Sequence, residues 1–573
     1  MQDLPPATPR FDLLLLRLGF SAFALAFVLP GHYPPWLSFE PQLMASFAFA
    51  CVLPVLYKQA RPSRLVPGLL GGSALALIPL PLIQYASGRI VFLSDAVLPA
   101  AYLSGFALCI IGGRNLAPAA RQEAADLLFL SLSLAAGVSA ALALSQGLQQ
   151  YPIPLTNPAA PGARVYANLG QPNHLATLLA LGCVGVLRAH ARGVVGGGTA
   201  AVVVTWLSTS MVMTQSRTGW FEVALICAWL WFFGRHLSRP ARPWALWVWP
   251  AAFAALTIAW EHLNTLLYPL PITLADRMDG GTRLLHWSSL WAAALEKPWL
   301  GYGWNQVGLA QLATATAHPA TGEMLTNSHN TALDLVLWCG LPIGLTIVAL
   351  LLWWFVRQIK AGLDEQQSFL MLIILLIGLH ALTEYPLDYT YFLLPWGLAI
   401  GLMEAQPRPG SGRVLTRSTV YALFVLTVLL GAWIASEYLR VDAATREARL
   451  TLIAGDNRST AMPAPPQVLL LDGPREMHRM AITPAHAGMS PAALVWMNAV
   501  TDRFPVPPLL LRDALAAGLN AQPDRALRRL AQLCAIHRPA RCKEAQDQWA
   551  ALSLQHALPQ PAVWPPGSST SGR

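Results

Sequence analysis

The amino-acid sequence predicts an all-α polytopic membrane protein with about thirteen transmembrane helices, followed by a smaller helical domain in water. Three observations carry this. Of 573 residues 55% are hydrophobic and only 12% charged, with a mean hydropathy of +0.45. A large water-facing chain carries roughly a quarter charged residues, and a disordered one more still. The apolar residues also come in blocks of about 18 or more, the length that crosses a bilayer core as a helix. Charge, finally, is divided unevenly: residues 1–437 hold 23 Lys+Arg and 19 Asp+Glu, whereas the last 136 hold 15 and 10.

The expected spans are 12–30, 41–57, 66–84, 91–112, 125–147, 173–187, 199–215, 219–234, 243–261, 331–356, 368–384, 390–405 and 418–437. The first exceeds ordinary signal-peptide length, has no clear A-x-A site, and is expected to be retained. One set of span ends holds sixteen basic residues: Arg10, Lys58, Arg61, Arg64, Arg114, Arg121, Arg188, Arg192, Arg235, Arg239, Arg242, Arg357, Lys360, Arg408, Arg413 and Arg417. The opposite set holds six, Arg89, Arg164, Arg217, Arg277, Arg283 and Lys297. Basic loops stay in the cytoplasm, so the amino terminus is expected there and residues 438–573 outside. The net charge of +9 is therefore a topological signal and not a sign of nucleic-acid binding.

Five cysteines, Cys51, Cys109, Cys183, Cys227 and Cys339, lie in apolar spans and read as packing residues. Cys534 and Cys542 are the pair in the tail. In an oxidising compartment they could close a disulfide between two helices; two buried thiols are the other reading.

Function is expected on the outer side, where two long loops lie, 148–172 and 262–330. Four polar clusters stand where spans enter from that side. They are Gly170-Gln171-Pro172-Asn173-His174, Gln215-Ser216-Arg217-Thr218-Gly219-Trp220, Asn327-Ser328-His329-Asn330 and Glu384-Tyr385-Pro386-Leu387-Asp388-Tyr389. Free N–H groups and the positive dipole end suit helix N-termini to anions. Pro172 fits a first helical turn, and Asn327 or Ser328 an N-cap. Converging, the four would form a polar, cation-rich cavity at the membrane–water interface.

Arg217 lies between two spans joined by almost no loop. It reads either as a phosphate clamp, with Gln215, Ser216 and Thr218 beside it, or as an arginine snorkelling to lipid headgroups. Arg277 and Arg283 precede an expected surface helix over 284–297, whose Trp287, Leu290, Trp291 and Ala294 suit packing on the bilayer or over the cavity. Asp276 and Asp279 pair more naturally with those arginines than with a metal. His329, at a helix N-terminus, is the candidate for proton chemistry, with a capping or packing role as the alternative. His174 and His286 are weaker versions of the same idea. No spacing suits a metal, and no P-loop, dinucleotide glycine run or nucleophile elbow is present, so no cofactor is expected. A reaction outside the cell membrane then needs a donor already activated and carried by lipid.

These residues carry a resemblance. Asn168 to His174, Ser216-Arg217-Thr218-Gly219, the Arg283…Trp287 stretch with Gly301-Tyr302-Gly303, and Ser328-His329-Asn330 with Gly340-Leu341-Pro342 resemble the O-antigen ligase superfamily. Gly170-Gln171-Pro172-Asn173, Glu384-Tyr385-Pro386 and Arg503-Phe504-Pro505 resemble its protein O-oligosaccharyltransferase branch, which glycosylates pilins and other periplasmic proteins. The resemblance implies a metal-independent, multi-span glycosyltransferase of the bacterial inner membrane. It would transfer a preassembled glycan from undecaprenyl pyrophosphate to Ser or Thr, inverting the anomeric centre. It implies pyrophosphate binding by Arg217 and Arg283, with Arg277 beside them, and an essential His329. Gln171 marks the protein-modifying branch; Asn173, Ser216, Asn330 and Tyr385 are carried with it as donor or acceptor contacts. His174 stands where glutamine is as common and receives no role.

The tail is expected to be helical over 491–503, 507–519, 523–537 and 540–554, in pairs resembling tetratricopeptide units, with 438–558 as a periplasmic domain and 559–573 disordered. Two further readings stand beside the first: a ligase or polymerase of the same superfamily with a glycan acceptor, and a transporter. Transport needs ionisable residues along the bundle interior; Arg17, Asp95 and Glu222 fall inside the expected spans, while polar residues gather at one face.

Overall fold

The computed structural model describes residues 10–31, 34–60, 64–148, 156–240, 242–268, 281–404, 414–454 and 464–561. Arg277 and the end of the tail, 562–573, lie outside them. The described chain is almost wholly helical, with one short antiparallel pair, Arg64–Leu65 against Leu415–Thr416. Helices occupy all thirteen stretches expected as spans. Seven are long and apolar enough to cross a bilayer: Phe39–Lys58, Gly68–Ala86, Ser94–Arg114, Pro118–Leu148, Pro172–Ala191, Thr331–Ala361 and Arg417–Thr451. The chain is thus a polytopic membrane protein. The last of these helices runs on to Ala454, past residue 437, and the second is interrupted at Ile78, where Pro79 and Pro81 start a new turn.

The chain divides into two compact units. The first comprises Met1–Ile78, Ala101–Met278 and Leu350–Gly431. Its centre is Pro172–Ala191, which packs on Pro118–Leu148, Gly197–Met213, Arg217–Phe233 and Glu365–Ala381. Close approach depends on small residues: a side chain at Gly182 would meet Ala136, and one at Gly185 would meet Ser133. In a lipid-facing bundle such contacts replace the hydrophobic drive that holds soluble helices together. Basic residues at the helix ends find acids, Arg114 with Glu404 and Arg188 with Asp126.

The second unit comprises Pro79–Ala100, Asp279–Ala349 and Ala432–Arg573. Its tail helices are Asp472–Ile482, Pro491–Arg503, Pro507–Leu519, Pro523–Ile536 and Pro539–Gln555. Four open with proline at the first or second helical position, where the missing N–H costs nothing. Inside the tail, Arg525 and Arg529 both pair with the fully buried Asp513. Cys534 and Cys542 are joined by a disulfide.

Candidate functional site

In the first unit, three of the four polar clusters meet. Gly170 takes a left-handed backbone (φ +72°), and Gln171, extended, leads into Pro172 at the start of its helix. This turn presents Asn173, which is 7% exposed, to the start of the Arg217–Phe233 helix and to Glu384, just past the end of the Glu365–Ala381 helix. Its Nδ2 donates to Glu384 Oε1 at 2.7 Å, and its Oδ1 accepts from Ser216 Oγ at 2.7 Å and Arg164 Nη2 at 2.9 Å. Gln171 Nε2 also donates to Glu384, at 3.2 Å to Oε2, while Gln171 Oε1 is buried with no hydrogen bond among the described residues. Ser216 caps the next helix by accepting from Gly219 N at 3.3 Å. Hydrogen bonds to a charged group are worth about 1.5–3 kcal/mol each, so Glu384 and Arg164 hold the three clusters in register.

Arg217 begins the Arg217–Phe233 helix one residue after that cap. It is exposed and makes no hydrogen bond or ion pair among the described residues. With Gln215, Ser216, Trp220, Phe253, Thr257, Trp260 and Glu261 it lines a small cleft. A guanidinium at the positive end of a helix, beside a rigid polar turn, is equipped to bind a phosphate group.

A second, deeper layer lies below. Thr177 hydrogen-bonds Glu222 and, at 2.8 Å, His380 Nδ1, and all three are fully buried. His174, also fully buried, is boxed edge-on by Tyr389, Phe392 and His380 at 4.6, 5.5 and 5.3 Å between ring centroids. Tyr385 stacks on Tyr389 at 6.0 Å. The His174 ring is thus packed among aromatic side chains.

The fourth cluster belongs to the second unit. Asn330, not Asn327 or Ser328, is the N-cap of Thr331–Ala361: its Oδ1 accepts from Ala332 N and Leu333 N at 3.0 and 3.2 Å. The helix starts at Thr331, where the span was expected, but its cap lies two or three residues later than Asn327 or Ser328, after a turn with His329 in the left-handed region (φ +56°). That conformation costs a non-glycine residue about 1–2 kcal/mol and persists only where its neighbours fix it. They do. Ser328 N donates to Asp334 Oδ1 at 2.7 Å, Ser328 Oγ to Asn330 O at 2.8 Å, and Trp287 Nε1 to Ser328 O at 2.8 Å.

Arg283 stands in the first turn of the Gly281–Glu296 helix, two turns before the fully buried Leu290. The apolar stripe expected there is split: Leu290 and Ala294 are buried, whereas Trp291 is exposed. His286, on the buried side, is held below the ordinary imidazole range by burial. Its neighbours His329 and Arg283 add to this, while Glu323 and the Thr321 carbonyl oppose it.

The two glycine motifs are structural. Gly301 and Gly340 both have positive φ, +63° and +81°, and a Cβ on either would strike the other's backbone segment. Tyr302 N donates to Leu337 O and Leu341 N to Pro298 O, both at 2.7 Å. Arg503, of the Arg-Phe-Pro motif, binds the Asp95 carboxylate twice, at 2.5 and 2.8 Å. Asp95 lies in the first turn of the Ser94–Arg114 helix, inside the expected span 91–112. Local sequence gives no signal for Arg164 or Asp334, whereas Glu384, the first residue of the Glu384-to-Tyr389 cluster, is an acid closing an apolar run.

Residues 165–187 match the family described as protein glycosylation ligase, 200–348 that described as O-antigen ligase, and 368–552 that described as virulence factor membrane-bound polymerase, C-terminal. These ranges contain Gln171 and Asn173, then Ser216, Arg217, Arg283 and His329, then Glu384 and Tyr385. The chain is 31% identical over 453 residues to the general O-oligosaccharyltransferase of Acinetobacter baylyi, covering 75% of this chain and 77% of that one. To the ComP-specific O-oligosaccharyltransferase of the same organism it is 29% identical over 332 residues, 56% of this chain and 59% of that one. No solved structure matches. A likeness running through three quarters of both chains, with a polar turn built on Gln171, Asn173 and Glu384 inside the matched ranges, shows that the chain belongs to the protein O-oligosaccharyltransferases of the O-antigen ligase superfamily, glycosyltransferases of protein O-glycosylation.

Proposed function

We propose that this oligosaccharyltransferase works at the periplasmic face of a bacterial inner membrane, moving a preassembled glycan from undecaprenyl pyrophosphate to a Ser or Thr hydroxyl of a pilin or other periplasmic protein. In this reading thirteen helices are spans, with the amino terminus in the cytoplasm. Residues 438–558 form a periplasmic domain of paired, tetratricopeptide-like helices that serves the acceptor protein.

The acceptor oxygen attacks C1 of the glycan from the face opposite the pyrophosphate. The C1–oxygen bond to the pyrophosphate breaks, and the anomeric centre inverts. Arg217, Arg283 and Arg277 are assigned to the pyrophosphate, whose charge grows as it leaves, and such preorganised donors are worth most in a site closed to water. His329 orients the hydroxyl and takes its proton. Gln171, Asn173, Ser216, Asn330 and Tyr385 are assigned to positioning donor and acceptor. The observation that carries the reading is Arg217, exposed at a helix start with no partner among the described residues.

The test is a reconstituted assay with lipid-linked glycan and a pilin-like acceptor. Arg217→Ala, Arg283→Ala and His329→Ala are each expected to abolish transfer while the protein still inserts. Full activity of His329→Ala would overturn its assignment. Mass spectrometry of periplasmic proteins with and without the gene tests the acceptor class: altered lipopolysaccharide alone would contradict a protein acceptor.

A further inference from the structure

The second unit contains a joint between the tail and the segment that leads to His329. The Pro523–Ile536 helix ends in carbonyls with no partner inside the helix. Two of them are taken up by one residue of the preceding segment: Thr321 N donates to Ala535 O at 3.1 Å, and Thr321 Oγ1 lies 3.3 Å from Ile536 O. The Cys534–Cys542 disulfide ties this helix end to the next helix, and its sulfurs share a core with Leu312 and Ala315. Gln532 Nε2 adds a bond to Leu312 O at 3.1 Å.

From Thr321 the contacts continue towards His329. Gln311 Nε2 donates to Thr321 Oγ1 and Glu323 O at 3.0 and 2.9 Å, and Gln311 Oε1 accepts from Leu325 N at 2.8 Å. Three residues later, Trp287 and Asp334 hold Ser328. His329 keeps a left-handed backbone at the end of this braced run. A strained residue holds its geometry only while its supports are rigid, and small displacements of a reacting group cost rate steeply.

We propose that Thr321 and the Cys534–Cys542 turn are positioning elements for the transfer reaction, through which the tail sets the place of the His329 imidazole. This rests on the assignment of His329 to the acceptor hydroxyl. It gives the tail a part in the chemical step besides any part in holding the acceptor.

The experiment measures kcat and donor KM for the full-length protein in reconstituted membranes, using lipid-linked glycan and a pilin-like acceptor. Thr321→Val, which removes only the hydroxyl, is expected to lower kcat about fivefold with donor KM unchanged, and Thr321→Ser to restore it. Cys534→Ser/Cys542→Ser is expected to lower kcat about tenfold, again at constant donor KM. Wild-type kcat in Thr321→Val, or an equal loss in Thr321→Ser, would overturn the proposal, and those two variants decide it even if the double serine variant fails to accumulate. His329→Ala, measured alongside, separates the two readings. If it is inactive while Thr321→Val is normal, the joint is only structural; if it is active, the assignment of His329 itself fails.

Discussion

Asn173 presents its amide nitrogen to the Glu384 carboxylate, 2.7 Å away, and so turns its oxygen towards Arg164 and Ser216. The amide has one orientation that satisfies all three neighbours, because carboxylate only accepts and guanidinium only donates. Asn173→Asp would set two carboxylates against each other, although Arg164 is close. We expect a loss of about 2 kcal/mol of stability, with Glu384→Gln costing less. Unfolding in detergent solution measures both.

Arg217 gives the opposite expectation. A side chain without partners among the described residues contributes little to the fold, so Arg217→Ala should leave stability within about 0.5 kcal/mol. Turnover should fall by about 100-fold or more, as for removal of a donor to a developing anion. Arg217→Lys should recover part of the rate, since an ammonium supplies charge without the paired donors. Parallel thermal unfolding and turnover measurements separate the two effects.

Gly340→Ala is expected to destabilise the second unit by about 2 kcal/mol or more, since the left-handed backbone and the neighbouring Trp299 carbonyl both refuse a Cβ. Gly301→Ala should behave alike. Combining the two should cost less than their sum, because both break one contact. A double-mutant unfolding cycle reads this directly.

His286 and His537 are both held below the ordinary imidazole range by burial, and His537 also hydrogen-bonds Pro505 O at 2.8 Å. Both are neutral in the fold, and the unfolded chain binds more protons as pH falls through about 6.5. Their contribution to stability is therefore complete above that pH and is lost as pH drops towards the lowered folded values. His286→Gln should flatten the decline in unfolding temperature between about pH 7.5 and pH 5.5. An unchanged slope would mean that the burial of His286 does not govern it.

Much of the helical pattern was legible because proline announces it. Pro491, Pro507 and Pro523 open tail helices at their expected starts, and Pro172 does so in the membrane part. The Asp472–Ile482 helix was missed: Gly473 and Pro474 follow its first residue and read as a turn. In the site, the residue types were visible but their pairings were not. Nothing in local sequence joins Asn173 to Glu384 across 211 positions, or Asp95 to Arg503 across 408. The shift of the cap from Asn327 or Ser328 to Asn330 has the same origin, since Trp287 and Asp334 bind Ser328 and commit the chain to an extra turn.

Gly301 and Gly340 also bear on how such enzymes can diversify. Their backbones close residues 302–339 at a common base, with Tyr302 bonded to Leu337 and Leu341 to Pro298. Whatever lies between is a cassette whose two ends are already clasped. A change of length inside it would leave that clasp in place but would have to keep Gln311, Leu312 and Thr321, which brace the run to His329 and meet the Pro523–Ile536 helix.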